Sequence, residues 1–389
     1  MHISRIELKN WRNFSAINIE LAEKTIIIGP NASGKSNLLD AIRFVRDLAK
    51  EGGGLQAAIR QRGGLTKIRS LSSRRDNRVG ISLELSEEDH LEWRYELEFT
   101  QRGGGAVGEP VAQLTHEKLT KYEDDGTHKD LVSRLSQNRE EYLSRFTSIE
   151  QATENIRFRD FTDYVAGINY LHIVPQLVRD PHSFVQKPGS EDFFGRDFIS
   201  ALSSTSGNVR SSYINKITRF LKIAVPGFES LSVDKDELGE PHLVVEFSSW
   251  RGINAKQNES QLSDGTLRLI GLLWALQFGS KPVLLEEPEL SLHPEIVKRL
   301  YNVISELHVN TKRRRQVILT THSFDFLNNA AILPEEVVLL QVDDKGVTRA
   351  SNLQNHKELK RLLDSGFTVA ETALKKTTPK NIDQLSLTI

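Results

Sequence analysis

The sequence predicts an α/β fold with a mostly parallel core sheet, an N-terminal antiparallel β subdomain and an inserted helical lobe. Three observations lead to this prediction. The β-branched run Lys24–Ile28 passes through a glycine-rich loop into residues with the apolar spacing of a helix. Residues 261–342 alternate helical and strand patterns, as β-α-β units do. Residues 2–21 alternate apolar and polar side chains, which is typical of half-buried antiparallel strands.

The other elements follow from the same patterns. Strands are expected at residues 2–8, 17–21, 79–85, 93–99, 169–174, 231–233 and 243–247. Residues 113–165 are polar and rich in Glu, Arg and Lys with apolar residues at helical spacing, so helices are expected there and at 210–221. The turn at 343–346 predicts a hairpin between 337–342 and 347–350. We therefore expect an N-terminal lobe at 1–110, an inserted lobe at 111–250 and a C-terminal lobe at 251–389.

Composition limits the classes of function. The chain has 389 residues, with 51 Lys and Arg against 52 Asp and Glu, a net charge of −1 and no Cys. The absence of Cys excludes disulfides, thiolate catalysis, iron–sulfur clusters and Cys-ligated zinc. No apolar stretch approaches the roughly 18–20 residues that span a bilayer, and the N-terminus lacks the pattern of a signal peptide. We expect a cytoplasmic protein with no membrane partner.

The glycine-rich loop has the form Gly29-x-x-x-x-Gly34-Lys35-Ser36, between a predicted buried strand and a predicted helix. In this context backbone N–H groups and the helix N-terminus bind phosphates, a Lys reaches the β- and γ-phosphates, and a Ser hydroxyl binds Mg²⁺. A chance match in a Gly-rich loop is the alternative. The expected nucleotide contacts are Gly29, Pro30, Asn31, Ala32, Ser33, Gly34, Lys35, Ser36 and Asn37.

Paired acids end a second predicted strand, in the run Val283 to Pro288. Because ligands of α/β proteins bind at the carboxyl ends of the strands, we expect Glu286 to bind Mg²⁺ and Glu287 to act as the general base on water. A strand end leading into a solvated acidic turn would look the same. Gln261 to Thr266 precedes a long apolar helix, where Ser263 is either a simple N-cap or, with Gly265, a second phosphate contact made from another subunit.

The order of these motifs resembles the ABC-type ATPase head, with Walker A, signature, Walker B, D-loop (residues 290–294) and a histidine, His322, at the end of the next strand. The stretch between Ser36 and Ser263 is longer than in transporter subunits and shorter than in SMC-type proteins. With "LKNWRNF", "SDGTLRL", "EEPELSLHP" and "TTHS", it resembles the RecF/OLD-like, SMC-related group of ATPases. Two departures are Glu286, where most ABC heads have Asp, and SDGT in the signature.

The resemblance implies further residues. His322 would contact the γ-phosphate, and Arg12 would lie near the nucleotide. Gln176 is a candidate for the Q-loop residue at the Mg²⁺ site. Two subunits would sandwich two ATP molecules, with Lys35 of one subunit facing Ser263 and Gly265 of the other, so a homodimer or higher homo-oligomer is expected.

The resemblance also implies a role for a separate partner. The residues after His322 are too few for the Toprim nuclease domain of OLD proteins, so the chain is expected to be a stand-alone ATPase. It would act as a sensor or scaffold that regulates a nuclease or toxin, in bacterial antiphage defence. The alternative is a RecF-like repair clamp that grips DNA with the basic segment 60–78, which contains Arg74 and Arg75. A scaffold that has lost ATPase activity is a third interpretation.

Overall fold

The structure is a computed structural model that describes residues 1–70, 76–88, 90–102, 111–135, 142–181, 195–249, 254–310, 314–344 and 346–377. Its strands are β1 (His2–Trp11), β2 (Phe14–Glu20), β3 (Lys24–Ile28), β4 (Val79–Glu87), β5 (His90–Arg102), β6 (Val111–Tyr122), β7 (His128–Leu135), β8 (Asn169–Leu171), β9 (Phe228–Lys235), β10 (Pro241–Phe247), β11 (Ala255–Asn258), β12 (Val283–Glu286), β13 (Val317–Thr320), β14 (Val337–Val342) and β15 (Thr348–Asn352).

The helices are α1 (Lys35–Ala49), α2 (Leu55–Gln61), α3 (Leu65–Ile68), α4 (Arg159–Ala166), α5 (Pro175–Arg179), α6 (Phe198–Ser204), α7 (Gly207–Ala224), α8 (Asp264–Gln277), α9 (Pro294–Asn310), α10 (Phe324–Leu327), α11 (Lys357–Asp364) and α12 (Val369–Thr372). Short 3₁₀ turns lie at Leu143–Arg145, Asn155–Phe158, Pro334–Glu336, Leu353–Asn355 and Leu374–Thr377. No helix in the described part of the chain is long and apolar enough to cross a membrane.

One 12-stranded sheet organises the molecule, in the order β7-β6-β5-β4-β1-β2-β15-β14-β3-β13-β12-β8. Neighbouring strands from β14 to β8 run parallel, whereas those from β7 to β2 run antiparallel. The predicted mixture of a parallel core and an antiparallel N-terminal part is therefore confirmed. The two parts are joined edge to edge, since β15 pairs with both β14 and β2.

Apolar side chains leave both faces of the parallel strands, as β-branched runs in buried strands do. Ile27 and Ile318 point into a core shared with α1 and α4. Ile26 and Leu319 point into a second core shared with α8 and α9. Helices therefore cover both faces of the core sheet, and the carboxyl ends of its strands are left to form one edge.

The helical prediction for the start of 113–165 is wrong, because residues 111–135 form the hairpin β6–β7. The polar residues that favoured a helix are compensated by partners far away in sequence. Glu117 is fully buried on β6, and it accepts hydrogen bonds from Arg134 of β7, from Tyr95 of β5 and from the backbone of Ser148. Strand pairing thus overrides the local helical spacing. The helices of this part of the chain begin only at α4.

Three further strands, β9, β10 and β11, form a small antiparallel sheet that leads into α8. The prediction of strands on either side of a turn at 234–241 is confirmed. His242 of β10 contacts Glu259, which follows β11, with 2.6 Å between Nδ1 and the carboxylate. Glu259 also accepts a hydrogen bond from the backbone of Leu243. This contact ties the approach to α8 to the small sheet.

Candidate functional site

The glycine-rich loop lies between β3 and α1 at the carboxyl edge of the parallel strands. Gly34 has a φ of 99° and Ala32 a φ of 62°, so the backbone turns sharply before the helix begins. The Lys35 ammonium folds back and donates to the carbonyls of Gly29 and Pro30, at 3.0 and 3.3 Å. Burial lowers the pKa of Lys35, and the nearby carboxylates of Glu287 and Glu286 oppose that shift. The loop thus holds a desolvated cation at its mouth.

Asn13 braces this loop from outside, and the sequence analysis missed it. Its Nδ2 donates to the carbonyl of Ser33 at 2.7 Å and to Oγ1 of Thr348 at 2.6 Å, while its Oδ1 accepts from Asn37. Thr348 also donates to the Ser33 carbonyl. A Cβ at Gly34 would lie 2.2 Å from the Asn13 amide, so the close approach requires glycine there. The available signal was the polar turn that contains Arg12.

Arg12 lies beside the loop but has a protein partner. Its guanidinium pairs with Asp40, one turn along α1 from Ser36, at 2.7 Å. Asp40 also pairs with Arg62 at 2.9 Å. The proximity of Arg12 to a nucleotide stays a prediction, and the charge of Arg12 is partly balanced by Asp40.

Glu286 ends β12 directly in front of the loop. Ser36 Oγ donates to one of its carboxylate oxygens, and the Tyr170 hydroxyl donates to the other. His172, which follows β8, places Nδ1 3.2 Å from the Glu286 carbonyl. β12 lies between β8 and β13, so the two residues from β8 approach Glu286 from one side. Tyr170 and His172 were missed because only the pairing of β8 with β12 brings them here.

Glu287 occupies a strained position one residue later, with a φ of 42°. Its backbone N–H donates to the Thr320 carbonyl of β13 at 3.1 Å. Its carboxylate lies 2.9 Å from Nδ1 of His322, whose side chain is 49% exposed. The kinked backbone turns the Glu287 carboxylate away from the strand axis and toward the histidine. The structure therefore brings Lys35, Ser36, Glu286, Glu287 and His322 to one edge of the sheet.

Glu289 is a buried carboxyl that the sequence analysis did not single out. Its Oε1 accepts from Thr321 Oγ1 at 2.5 Å, and its Oε2 has no hydrogen-bond partner among the described residues. Burial raises the pKa of Glu289, and the charge of Glu287 adds to that rise. Glu289 thus supports the segment that carries Glu287.

The SDGT turn forms a separate surface. Ser263 caps α8, accepting a hydrogen bond from the backbone of Thr266 at 3.2 Å. Gly265 packs on Ser291 of the next turn, and a Cβ there would lie 2.6 Å from the Ser291 carbonyl oxygen. Ser291 has a φ of 63°. In the part of the chain that the structure describes, no hydrogen bond joins Ser263 or Gly265 to the glycine-rich loop.

Gln176 lies on α5, and the structure does not bring it to Ser36 and Glu286. Its amide donates to Asp264, the first residue of α8, at 3.3 Å. α5 turns the chain away from the end of β8, so Gln176 faces α8 while His172 faces Glu286. The first turn of α8 is also held by Arg179, which pairs with Asp264 at 2.5 Å.

The residues present fit a phosphate and a hard cation. Ser33 Oγ is buried without a hydrogen-bond partner among the described residues. A Cβ at Gly29 would lie 2.6 Å from that oxygen, so the loop has no room for a larger residue there. The Ser36 hydroxyl and the Glu286 carboxylate are oxygen ligands of the kind that Mg²⁺ prefers.

Several cations of the basic segment 60–78 already have acidic partners within the protein, so fewer are free to contact a phosphate backbone than the sequence indicates. Arg62 is buried between Asp40 and Asp47, and Arg78 pairs with Asp76 and Glu98. The side chains of Arg60, Lys67 and Arg69 are exposed. Arg74 and Arg75 lie outside the described residues.

Comparison with known proteins agrees with this geometry. Residues 24–328 match the family model described as "AAA domain, putative AbiEii toxin, Type IV TA system". The DNA replication and repair protein RecF of Bacillus cytotoxicus is 36% identical over 101 residues, which are 25% of this chain and 27% of that protein. Endonuclease GajA of Bacillus cereus is 49% identical over 47 residues, 12% of this chain and 8% of that protein.

The chain thus spans only about a quarter of that RecF and less than a tenth of GajA. Among solved structures, an Smc head bound to the C-terminal winged-helix domain of ScpA superposes with a TM-score of 0.54 at 17% identity. That superposition covers 92% of this chain and 100% of the other. At this identity the similarity establishes the fold alone.

Proposed function

The chain belongs to the AAA domain family of ABC-type ATPases related to RecF and Smc, and on that premise we propose that it binds ATP with Mg²⁺ and hydrolyses the γ-phosphate. We further propose that two ATP-bound subunits associate and that this switch controls a separate effector.

One observation carries the proposal. The loop hydroxyl of Ser36 donates to Glu286 while Glu287, the next residue, contacts His322. Residues from three separate segments thus place a cation ligand pair and a base–histidine pair side by side, in front of Lys35. A solvated acidic turn does not require both pairs. A phosphoryl-transfer site requires both, since its catalysis depends on positioning and charge stabilisation.

Each residue has a defined task in hydrolysis. Ser36 and Glu286 would hold Mg²⁺, which neutralises phosphate charge when it is bound. Lys35 exchanges the carbonyls of Gly29 and Pro30 for phosphate oxygens. The Glu287 carboxylate accepts a proton from the attacking water. His322 holds that carboxylate in place and lies on the exposed side, where the γ-phosphate would be.

The proposed dimer rests on the surface around Ser263 and Gly265. This surface ends in the N-terminus of α8, where backbone N–H groups and the helix dipole attract phosphate. It is exposed and has no hydrogen bond to the loop of its own subunit. A second subunit placed head to tail would supply the missing phosphate contact. Binding energy would then pass to the partner through ordering of this interface.

The proposed partner is a nuclease or toxin encoded separately, in bacterial antiphage defence. Two similarities support this step: the description of the matching family includes a toxin, and one relative is an endonuclease. The proposal that the protein hydrolyses ATP does not depend on the identity of this partner.

The test is a Glu287→Gln substitution. We expect steady-state ATP hydrolysis to fall about 10²–10⁴-fold because the general base is lost. ATP binding should remain, so the variant should accumulate as an ATP-bound dimer, measured by light scattering after size exclusion. Lys35→Ala should lose ATP binding and the dimer together. Glu295→Gln is the matched control, since Glu295 is exposed and pairs with Lys298 on the surface of α9.

Unchanged turnover in Glu287→Gln would remove Glu287 from the role of base. If the Lys35→Ala variant kept every measurable activity, the protein would be a scaffold that has lost ATPase activity and not an ATPase. For the dimer, Ser263→Arg should abolish the ATP-dependent mass increase and Ser260→Arg should not. Normal hydrolysis by a monomeric Ser263→Arg variant would contradict a two-subunit site.

A second candidate function is a DNA-binding repair clamp. The exposed side chains of Arg60, Lys67 and Arg69 favour it, because exposed cations can contact phosphate backbones. Burial of Arg62 and pairing of Arg78 weigh against it. Duplex DNA that stimulates ATP hydrolysis, with loss of that stimulation in Arg74→Glu/Arg75→Glu, would establish this alternative.

A further inference from the structure

A cavity of about 210 Å³ lies beside the last turn of α8, and Tyr170, whose hydroxyl donates to Glu286, is one of its lining residues. Its walls come from α6, from the last turn of α8, from the edge strand β8 and from the segment before β13. Four aromatic residues line it, Tyr170, Phe198, Trp274 and Phe278. The residue that sets its chemistry is Arg315.

Arg315 is a buried cation without a carboxylate. Arg315 is 4% exposed to solvent. Nε donates to the Lys281 carbonyl and Nη1 to the Ala275 carbonyl. In the described part of the chain it forms no ion pair, although Asp197 lines the same cavity. Burial lowers the pKa of Arg315 to about 10, so the guanidinium is still charged at neutral pH.

A structural role explains part of this arrangement. Ala275 lies in the last turn of α8, and a cation there satisfies an end carbonyl and complements the helix dipole. That role uses Nε and Nη1. It leaves Nη2 without a hydrogen-bond partner among the described residues, on a side chain that faces the cavity.

Trp274 forms part of the aromatic wall of the cavity. Its indole Nε1 is buried and has no acceptor among the described residues. The indole ring is stacked on Phe278 with ring centroids 4.9 Å apart, and Phe198 lies 6.0 Å away on another side. Because Nε1 has almost no accessible surface, the indole presents its ring to the cavity and contributes an apolar wall.

We propose that this cavity binds a small aromatic carboxylate. The ligand carboxylate would accept a hydrogen bond from Arg315 Nη2, while the ring of the ligand packs among Phe198, Trp274 and Phe278. The size agrees, because a cavity of about 150 Å³ holds a benzene ring and 210 Å³ leaves room for the carboxylate. An aromatic wall with few polar groups is typical of a small-molecule site.

The experiment titrates the full chain with phenylacetate and with its neutral amide, phenylacetamide. Tryptophan fluorescence and the thermal midpoint report binding. We expect saturable binding of phenylacetate, a raised midpoint, and affinity for the amide at least about tenfold weaker, because the charge-assisted bond to Arg315 is lost. Equal binding of the two probes, or no saturable binding up to about 10 mM, would overturn the proposal.

Two variants separate the cavity from the fold. Arg315→Gln should remove the preference for the acid, but it also removes an end cap of α8. Ala201→Leu leaves Arg315 in place and fills the cavity from α6, so it should abolish binding without lowering the thermal midpoint. Ala16→Leu, at an exposed position on β2, is the control. Wild-type affinity in a folded Ala201→Leu variant would place the ligand elsewhere and contradict the site.

Discussion

His322 and Glu287 contact each other across neighbouring parallel strands, with 2.9 Å between Nδ1 and the carboxylate. The backbone of Glu287 is also fixed by Thr320 at the end of β13, whose carbonyl accepts the Glu287 N–H. Glu287 is therefore held at two points, and its position depends on the register of β12 and β13. This relationship gives the first prediction.

Replacing His322 with Ala should lower the rate of ATP hydrolysis about 100-fold, because the Glu287 carboxylate loses the contact that orients it. A His322→Ala/Glu287→Gln double variant should be no slower than Glu287→Gln alone, since residues that act as a unit are not additive. Steady-state kinetics of the four proteins measure this. His128→Ala, at an exposed strand position, is the control. Additive losses would show that the two residues act independently.

Asn13→Ala should raise the KM for ATP about tenfold with a smaller change in kcat. The substitution removes hydrogen bonds that hold Ser33 and Asn37, and each such bond stabilises by about 1 kcal/mol. A loosened loop binds phosphate less well, while Glu287 and His322 are untouched. Asn18→Ala on the exposed side of β2 provides the comparison. A loss confined to kcat would contradict this role for Asn13.

Arg62→Ala should destabilise the fold by about 3 kcal/mol, because it leaves the buried carboxylate of Asp47 without one of its cations. Arg69→Ala, at an exposed side chain, should leave the free energy of unfolding nearly unchanged. Urea denaturation compares the two. Fluorescence anisotropy with labelled duplex DNA then measures whether either variant changes DNA binding, separately from its effect on stability. Equal stability of both variants would mean that the Arg62 ion pairs are replaced by water.

His242 gives the protein a pH-dependent contribution to stability. The hydrogen bond to Glu259 raises the pKa of His242 above its ordinary value, although burial opposes the shift. This contribution is complete below the unfolded-state pKa of about 6.5 and is lost as pH rises through the higher folded-state pKa. His242→Gln should therefore lower the thermal midpoint more at about pH 5.5 than at about pH 9. His128→Gln should show no such difference.

The local motifs could be predicted from sequence. The loop that carries Lys35 and the acids at Glu286 and Glu287 follow β-branched strands, and their chemistry is encoded within a few residues. The proximity of the loop and the two acids could also be predicted from the sequence, because the carboxyl ends of parallel strands meet at one edge of the sheet. The hairpin β14–β15 was predictable for the same reason, since its turn residues are adjacent in the chain.

The sequence-based predictions that were wrong or incomplete concern residues whose positions depend on partners distant in the chain. The hairpin β6–β7 has the polar composition of a helix, and the buried Glu117 is compensated by hydrogen bonds from Tyr95, Arg134 and Ser148. Tyr170 and His172 reach Glu286 only because β8 pairs with β12. Gln176 was chosen by its position after a predicted strand, and a short helix turns it toward Asp264 instead.

The placement of β3 has a consequence for how the protein is made. β3 pairs with β13 and β14, both from the last quarter of the chain, and the loop after β3 is braced by Thr348. During synthesis the antiparallel strands can pair as they emerge, because their partners are close in sequence. The glycine-rich loop is braced only after β13, β14 and Thr348 have been synthesised. The proposed binding of nucleotide would therefore begin only after the antiparallel strands have had time to pair.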